Sequence, residues 1–344
     1  MSRLLMCLTA MWLSAPFAAA TTLDLDLNRS ASWLTVTDSG PYSPVEDQPH
    51  HSPVVQGNTT VLWALDEVSR LCRQLDEKLT SIDYDECAAA NLQPSGAYST
   101  LHRTIAYRDV QPSDREPVGK VLLIGGIHGD EYSSVTIVFR WLRELEQNSG
   151  PFHWRVVPTL NPDGLLMPPR MSQRMNANGV DLNRNFPTPN WEREAMDYWV
   201  NRTRKSKRRY PGKAPLSEPE SRWLAKQIDE FKPNAVISVH APHGIVDFDG
   251  PLVPPDNLGP LELRLLGTYP GSMGRYVGVY RGIPLLTVEL ESALRIPDDD
   301  DAEKIWQDTM AWLENRVINT EKPRVEQALD TPMQSDDETD NANL

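Results

Sequence analysis

The stretch Val121-Leu-Leu-Ile-Gly-Gly-Ile-His128-Gly-Asp-Glu131 decides the fold prediction. Its first four residues are apolar and indicate a buried strand, and the two glycines allow a sharp turn at the carboxyl end of that strand. Residues 131–147 are then predicted to form a helix. Because binding sites in open α/β sheets form at the carboxyl ends of strands, the pattern predicts that His128 and Glu131 lie in such a site.

Outward from this stretch, strands alternate with helices from about residue 102 onward. Further strands are predicted over residues 102–109, 154–159, 235–240 and 285–290. Further helices are predicted over 61–80, 302–317 and 217–231, the last with Ser217 as N-cap and Glu220 completing a capping box. The alternation predicts an α/β fold, a three-layer sandwich with a mixed, mostly parallel sheet and helices on both faces.

Composition and charge exclude some classes of function. The 344 residues are 40% hydrophobic and can form a sizeable core, and the formal charge of −14 argues against nucleic acid as a partner. Residues 1–20 combine a basic start, a short apolar run and three alanines, which is typical of a signal peptide cleaved near Ala20. We therefore expect a bacterial periplasmic or secreted protein. No later apolar run is long enough to span a bilayer, so no stable membrane insertion is expected.

Two cysteines, Cys72 and Cys87, remain after the predicted signal peptide. An oxidising compartment would allow them to form a disulfide, and the alternative is a pair of buried thiols. Their spacing fits neither a zinc finger nor a C-x-x-C redox site. The pair is therefore a disulfide candidate.

Three polar side chains at predicted strand ends form a candidate metal site. His128 and Glu131 follow one strand, and His240 ends the apolar strand over 235–240. Two histidines and one glutamate with an open fourth position form the ligand set of a catalytic zinc site. Taken singly, a surface histidine, a helix-capping glutamate and a structural histidine at a strand end would explain the same residues.

An acidic residue interrupts the apolar strand Leu285-Leu-Thr-Val-Glu289-Leu-Glu291. Burying a carboxylate is unfavourable unless it has a partner or a function. Glu289 is a natural general base for a water molecule, and partial burial would raise its pKa towards neutrality. Glu291 shares that face of the strand and is either the alternative base or a surface group.

A loop rich in amides follows Asn161-Pro-Asp-Gly and runs over residues 174–186. Arg174 and Arg184 in this loop can bind a carboxylate through paired, charge-assisted hydrogen bonds. The alternative is a loop that asparagine turns hold together.

In their order along the chain, these segments resemble the zinc carboxypeptidase family over about residues 100–318. The shared elements are His-x-x-Glu, Gly-Val-Asp-x-Asn-Arg-Asn, a distant histidine and Thr-Val-Glu-Leu. Within the family, the chain is most similar to the murein peptide amidase branch. The similar segments are Asn-Pro-Asp-Gly and residues 176–187, 238–242 and 267–272.

The resemblance implies a role for each matching residue. His128, Glu131 and His240 would bind one zinc ion, and Glu289 would be the general base. It also implies that the domain over residues 101–320 is the catalytic zinc peptidase. Apolar periodicity predicts one helix in an N-terminal extension over 21–100, and an acidic composition poor in apolar residues predicts a disordered tail over 321–344.

The resemblance also implies how the amide-rich loop would act. Asn183 and Arg184 would hold a substrate carboxylate. Arg174 would polarise the scissile carbonyl, with Arg170 as the alternative. Asp181 would orient the first zinc histidine.

Substrate specificity follows less directly from the resemblance. Tyr269 is the nearest candidate for the mobile tyrosine of the pancreatic enzymes, with Tyr276 behind it, and Arg275 is either a contact for an acidic substrate group or a surface residue. The branch implies hydrolysis of murein peptides or peptidoglycan at the γ-D-glutamyl-meso-diaminopimelate bond. Alternatives are an N-acyl amino acid deacylase of the aspartoacylase or succinylglutamate desuccinylase type, and a non-catalytic protein that binds the cell wall.

One further segment is strongly basic. Residues 202–209 contain six lysines and arginines. A solvated loop is the simpler interpretation, and binding to anionic wall groups or to membrane headgroups is the alternative.

Overall fold

The computed structural model describes residues 58–168 and 171–318, with side chains from residue 66 onward. All of them belong to one compact unit that begins at Val55. The predicted signal peptide, Arg170 and the predicted acidic tail lie outside the described residues, and the predicted domain boundaries stay predictions. No helix among the described residues is both long and apolar enough to cross a bilayer.

The described chain forms a mixed sheet and a set of helices around it. The strands are β1 Gln93–Tyr98, β2 Thr104–Val110, β3 Gly119–Ile124, β4 Phe152–Val157, β5 Ala235–His240, β6 Ile245–Asp249, β7 Asn257–Leu258, β8 Leu261–Leu263 and β9 Leu285–Glu289. The α-helices are α1 Asn58–Lys78, α2 Tyr84–Ala89, α3 Tyr132–Gln147, α4 Pro162–Leu165, α5 Trp191–Asp197, α6 Pro219–Phe231 and α7 Asp299–Leu313. A π-helical segment covers Gly274–Tyr280.

The sheet has parallel strands at its centre and antiparallel pairings on both sides. The strand order is β1-β2-β4-β3-β5-β9-β6-β8-β7. The four strands β4, β3, β5 and β9 run parallel, while β2 and β6 run antiparallel to the outer members of this group. The predicted mixed sheet is therefore confirmed, and the carboxyl ends of β3, β5 and β9 lie side by side.

Alternate residues of the central strands face two separate cores. Val121 and Leu123 of β3 pack with α1, α3 and α7, whereas Leu122 and Ile124 pack with α6 and the π-helical segment. Each of these four side chains is fully buried, which contributes about 1.5–3 kcal/mol per side chain. The alternation produces the predicted three layers, with helices on both faces of the sheet.

The capping box predicted for the helix over 217–231 is wrong. Helix α6 begins at Pro219, its N-cap is Glu218, and no side chain caps it. The Ser217 hydroxyl donates to Glu218 instead, and the Glu220 carboxylate accepts from Asn176 at 3.1 Å. The Ser217 hydroxyl also accepts from Asn185 Nδ2 at 3.0 Å, so both side chains have long-range partners in place of the local capping pattern.

A disulfide joins Cys72 of α1 to Cys87 of α2, and both residues are fully buried. The predicted disulfide is therefore present. Closing a loop with a sequence separation of 15 residues stabilises the fold by about 3 kcal/mol through its effect on the unfolded chain. β1, which also lies upstream of residue 101, pairs with β2 as the edge strand of the sheet.

Candidate active site

Three neighbouring strands bring the predicted metal ligands and the predicted general base together. His128 and Glu131 follow β3, and His240 ends β5, the strand next to it. In the parallel pairing of β5 with β9, His240 lies opposite Glu289. Adjacent strands are about 4.8 Å apart, so the general base predicted from the sequence lies beside the predicted ligands.

Glycines allow the chain to turn sharply between β3 and His128. Gly126 has a φ of +59°, in the left-handed region that favours glycine. At Gly129, an added Cβ would lie 2.1 Å from the carbonyl carbon of Gly164. The turn that contains His128 therefore packs backbone to backbone against the Asn161-Pro-Asp-Gly segment.

The amide-rich segments mainly hold this turn and the following loop in place. Asn161 donates to the carbonyls of Ile127 and Arg174, each at 3.2 Å. Asn185 is fully buried and bonds five groups around the start of α6. For these two asparagines, the alternative of a loop stabilised by amide hydrogen bonds describes the observed role.

The ligand atoms of the three predicted metal residues converge on one point. His128 Nδ1 lies 2.8 Å from Glu131 Oε1 and 3.2 Å from His240 Nδ1. The distance from His240 Nδ1 to Glu131 Oε2 is 3.3 Å. One ligand atom from each residue lies within 4.8 Å of the others, and all three residues are buried.

The remaining ring nitrogen of each histidine contacts another polar group. His128 Nε2 lies 3.2 Å from Asp181 Oδ1, and His240 Nε2 lies 3.0 Å from Ser238 Oγ. Such partners fix the ring orientation of metal-binding histidines. Because both Nδ1 atoms face the same carboxylate and only the Nε2 atoms have outer partners, the donor set fits a divalent cation such as zinc.

Burial and charge favour the protonation states that bind metal. Burial would raise the pKa of Glu131, but the charges and hydrogen bonds of His128 and His240 outweigh it and lower the pKa. Burial lowers the pKa of His240, which favours the neutral ring. An ionised carboxylate and a neutral imidazole are the forms that coordinate a metal ion.

Glu289 is the buried carboxyl group beside this cluster. Its Oε2 atom has no hydrogen-bond partner among the described residues. Burial, and secondarily the charge of Glu131, raise the pKa of Glu289 to about 8. A carboxylate with an elevated pKa and a free oxygen is suited to accept a proton from a reacting group.

Two arginines, the half-buried Arg174 and the buried Arg184, belong to the loop that follows the Asn161-Pro-Asp-Gly segment. Arg174 Nε donates to Asp181 Oδ2 at 2.9 Å, and its Nη1 lies 3.5 Å from Glu131 Oε1. The Arg184 guanidinium stacks 4.6 Å above the Tyr269 ring. Burial lowers the pKa of Arg184 to about 10, and its Nε has no hydrogen-bond partner among the described residues. Arg184 is thus the cation with spare donor capacity for an anionic ligand.

The other residues predicted to contact substrate lie around Arg184. Asn183 Oδ1 accepts from the Met273 amide at 2.8 Å, which fixes its side chain against the π-helical segment. Tyr276 is buried and stacks on Phe186 at 5.7 Å, so it forms part of the core. Arg275 forms an ion pair with Glu194 at 2.8 Å. Tyr269 is therefore the tyrosine of the two that adjoins the site.

Asp247 of β6 is a residue that sequence reasoning missed. It pairs with Thr287 of β9, so it points to the same face of the sheet as Glu289. It is buried, and its Oδ1 accepts from the amides of Phe248 and Leu266. The alternation Ile245-Val-Asp-Phe-Asp249 has the period of a strand and would have been the signal for it.

The fold and the metal cluster together define a class, an α/β protein with a two-histidine, one-glutamate centre at the carboxyl ends of parallel strands. The zinc carboxypeptidase family profile matches residues 96–246. Murein peptide amidase A of Vibrio campbellii is 33% identical over 187 residues, which are 52% of this chain and 72% of that protein. The chain belongs to the zinc carboxypeptidase family.

Two further similarities agree with this assignment. Murein peptide amidase A of Escherichia coli K12 is 38% identical over 128 residues, 37% of this chain. The match spans half the length of that relative. The structure of thrombin activatable fibrinolysis inhibitor superposes with a TM-score of 0.55 and 17% identity, and 75% of each chain is covered. This last similarity concerns the fold alone.

Proposed function

We propose that this chain is an exported zinc-dependent hydrolase that cleaves the γ-D-glutamyl-meso-diaminopimelate amide bond of murein peptides. The observation that carries the proposal is the convergence of His128, Glu131 and His240 beside the buried Glu289. The relatives named murein peptide amidase A support this choice of substrate. The signal-peptide pattern over residues 1–20 supports export.

His128, Glu131 and His240 would hold the zinc ion, and Asp181 would fix the His128 ring. A bound zinc ion supplies Lewis acidity and increases the acidity of a coordinated water molecule. Glu289 then has two tasks. It accepts the proton of the attacking water through Oε2, and it donates that proton to the leaving nitrogen.

The two arginines position the substrate on either side of the bond. Arg184 and Asn183 bind the carboxylate of the leaving residue, with Tyr269 under the Arg184 guanidinium. Arg174 stabilises the negative charge that develops on the scissile carbonyl oxygen. The contact of Arg174 with Asp181 supports this role because it fixes the guanidinium next to Glu131.

Asp247 supports a diamino acid on the leaving side. Its carboxyl group lies on the face of Glu289, on the neighbouring strand, and it is 6% exposed. A buried carboxylate there would bind the distal ammonium group of diaminopimelate. A peptide with 2-aminopimelate in place of diaminopimelate lacks only that ammonium group, so Asp247→Asn should lower kcat/KM about tenfold for the first peptide and much less for the second.

The decisive experiment uses purified full-length protein with L-Ala-γ-D-Glu-meso-diaminopimelate and follows release of diaminopimelate. Stoichiometric zinc and hydrolysis that a chelator abolishes would support the proposal. A panel of N-acyl amino acids provides the comparison. Hydrolysis of the panel without hydrolysis of the peptide would replace the proposal by an N-acyl amino acid deacylase. Binding of peptidoglycan without turnover of either set would indicate a non-catalytic protein.

Export has a separate test. The full chain is expressed in a bacterium, and the N-terminus of the protein in the periplasmic fraction is sequenced. We expect it to begin just after Ala20. Intact protein retained in the cytoplasm would contradict export without affecting the proposed reaction.

A further inference from the structure

The basic loop, residues 202–209, adjoins the active site at both of its ends. Tyr198, just before it, packs edge-on against Tyr269 with 5.6 Å between the ring centroids. At the other end, Arg208 Nη1 donates to Asp130 Oδ2 at 2.6 Å. Asp130 lies directly before the predicted ligand Glu131. The loop is therefore at the rim of the metal cluster rather than on a remote surface.

The loop is an ordered structure and not a loose solvated segment. Trp199 Nε1 donates to the carbonyl of Ser206 at 2.8 Å, and the Trp199 ring packs against Tyr210 at 4.9 Å. The carbonyl of Tyr210 accepts from the amide of Asp181 at 2.8 Å. Since Asp181 contacts His128, the end of the loop is connected to the metal cluster by two hydrogen-bonding contacts.

Two consecutive residues in the loop adopt a conformation that L-residues avoid. Arg204 and Lys205 have φ values of +52° and +59°. Neither is glycine or asparagine, the residues that normally occupy the left-handed region. Backbone strain of this kind persists where surrounding contacts enforce it, and it concentrates at functional sites. Here it turns two adjacent cationic side chains outward.

Most of the charges in the loop have no acidic partner. Arg202, Arg204, Lys205 and Lys207 are exposed, and none forms an ion pair with a described residue. The whole chain has a formal charge of −14, so this concentration of positive charge contrasts with the rest of the sequence. Arg208 pairs with Asp130, and the unpaired cations at the rim of the site would attract an acidic substrate.

We propose that the basic loop is a second anion-binding site that holds an acidic group on the acyl side of the scissile bond. The inference rests on the proposed function, in which Arg184 already binds the carboxylate on the leaving side. A substrate with carboxylates on both sides of the bond would therefore be bound at two points. The substrate class is an acidic peptide, and the loop selects for the number of its acyl-side carboxylates.

The test compares two triple variants that each remove three exposed, unpaired positive charges. The loop variant is Arg204→Asn, Lys205→Asn and Lys207→Gln, in which asparagine tolerates the left-handed backbone. The control variant is Arg73→Gln, Lys232→Asn and Arg316→Gln. Lys232 is itself left-handed, with a φ of +53°, and it precedes the amino end of β5. Equal midpoints of thermal unfolding would show that both variants fold.

The substrates form a graded series on the acyl side. They are L-Ala-γ-D-Glu-meso-diaminopimelate, the same peptide with the D-Glu α-carboxylate amidated, and the N-succinyl derivative with an additional carboxylate. The loop variant should lose about tenfold in kcat/KM on the first peptide, more on the succinyl peptide and less than twofold on the amide. The preference of wild type for the acidic peptides should weaken with added salt.

Three results would overturn the proposal. The first is an equal loss on all three peptides, and the second is an equal effect of the control variant. The third is an unchanged rate series combined with loss of cosedimentation with phosphatidylglycerol vesicles, which would indicate a membrane surface as the partner. If no peptide is hydrolysed, the proposed function fails, and calorimetric binding of the same series to the same three proteins then decides the role of the loop.

Discussion

The two ends of the central parallel strands differ in the polar groups that they bring together, which are neutral at the amino ends and ionisable at the carboxyl ends. At the amino ends of β3 and β5, neutral groups satisfy each other: the amide of Lys120 donates to Asn234 Oδ1 at 2.8 Å, and the amide of Val236 donates to the carbonyl of Pro284 at 2.9 Å. At the carboxyl ends of the same strands, ionisable side chains are buried within hydrogen-bonding distance of one another.

Within this one sheet, the amino ends of the strands contribute to stability and the carboxyl ends carry the groups that can react. Neutral hydrogen bonds at the amino ends contribute modestly to the free energy of unfolding and perform no reaction. Burial of ionisable groups is unfavourable in itself. Burial, and secondarily the charge of Glu131, disfavour the ionised form of Glu289 and so raise its pKa. Changes at the carboxyl ends should therefore affect activity first, and changes at the amino ends should affect stability alone.

The largest effect is expected for Glu289→Gln. Loss of the proton acceptor should lower kcat on the order of 10³-fold, while the zinc content stays at the wild-type value. Steady-state rates and elemental analysis of the same preparation measure the two quantities. A variant that retains activity within about tenfold of wild type would remove Glu289 from the mechanism.

Asp181→Asn should have a smaller effect, on metal affinity. The carboxylate contacts His128 Nε2 at 3.2 Å and Arg174 Nε at 2.9 Å, and an amide would weaken both contacts. Zinc affinity should fall about 10- to 100-fold, measured by competition with a chromogenic chelator. Unchanged affinity would mean that Asp181 only shapes the loop.

Asp249 is an ionisable residue beside the amino end of a central strand, so it is an exception to the division between the two ends. It lies opposite Leu285, at the amino end of β9, yet burial and the charge of Asp247 raise its pKa from 3.8 to about 8. The folded state then keeps a proton that the unfolded state releases above pH 4, so stability falls as the pH rises from about 4 to about 8.

Asp249→Asn should remove this pH dependence. The variant should match wild type at pH 4 and be more stable by about 2 kcal/mol at pH 9, less than the full shift implies because the side chain keeps some solvent contact. Urea unfolding at both pH values measures the difference. Equal pH dependence of the unfolding free energy in the two proteins would contradict a protonated Asp249 carboxyl group in the folded state.

The smallest effect is expected at the amino ends. Asn234→Ala removes the acceptor of the Lys120 amide and should lower the free energy of unfolding by about 1 kcal/mol. Values of kcat and KM should remain those of wild type. A selective loss of activity without loss of stability would contradict the separation of the two ends.

The sequence predicted those strands correctly that consist of long runs of apolar residues. β3, β5 and β9 are nearly continuous apolar runs, and the observed strands agree with the predicted ones within about two residues. β6 was missed because Asp247 and Asp249 leave it without the continuous apolar run of the central strands, and the shorter alternating pattern over residues 245–249 is its only signal. β1 was missed because Pro94 and Gly96 are residues that strands usually exclude.

A local sequence pattern gave a wrong prediction where residues distant in sequence form hydrogen bonds with the same side chains. Ser217 and Glu220 have the spacing of a capping box, but Asn185 and Asn176, which are more than thirty residues away, occupy their polar atoms. The contact of Arg208 with Asp130 joins residues 78 positions apart, and no local pattern indicates it. The metal cluster was predictable because the order of four motifs encodes it, whereas the basic loop required the tertiary structure.

The close approach of Gly129 to Gly164 has a consequence for sequence variation. Even a methyl group at position 129 would lie 2.1 Å from the opposing backbone, and one at position 164 would lie 2.5 Å from the carbonyl of Met175. A saturation library should therefore recover only glycine at both positions, although neither has a side chain that could touch a substrate. Homologues should have glycine at both positions, because the turn that contains His128 packs backbone to backbone against the Asn-Pro-Asp-Gly segment, and a side chain at position 129 would separate the two.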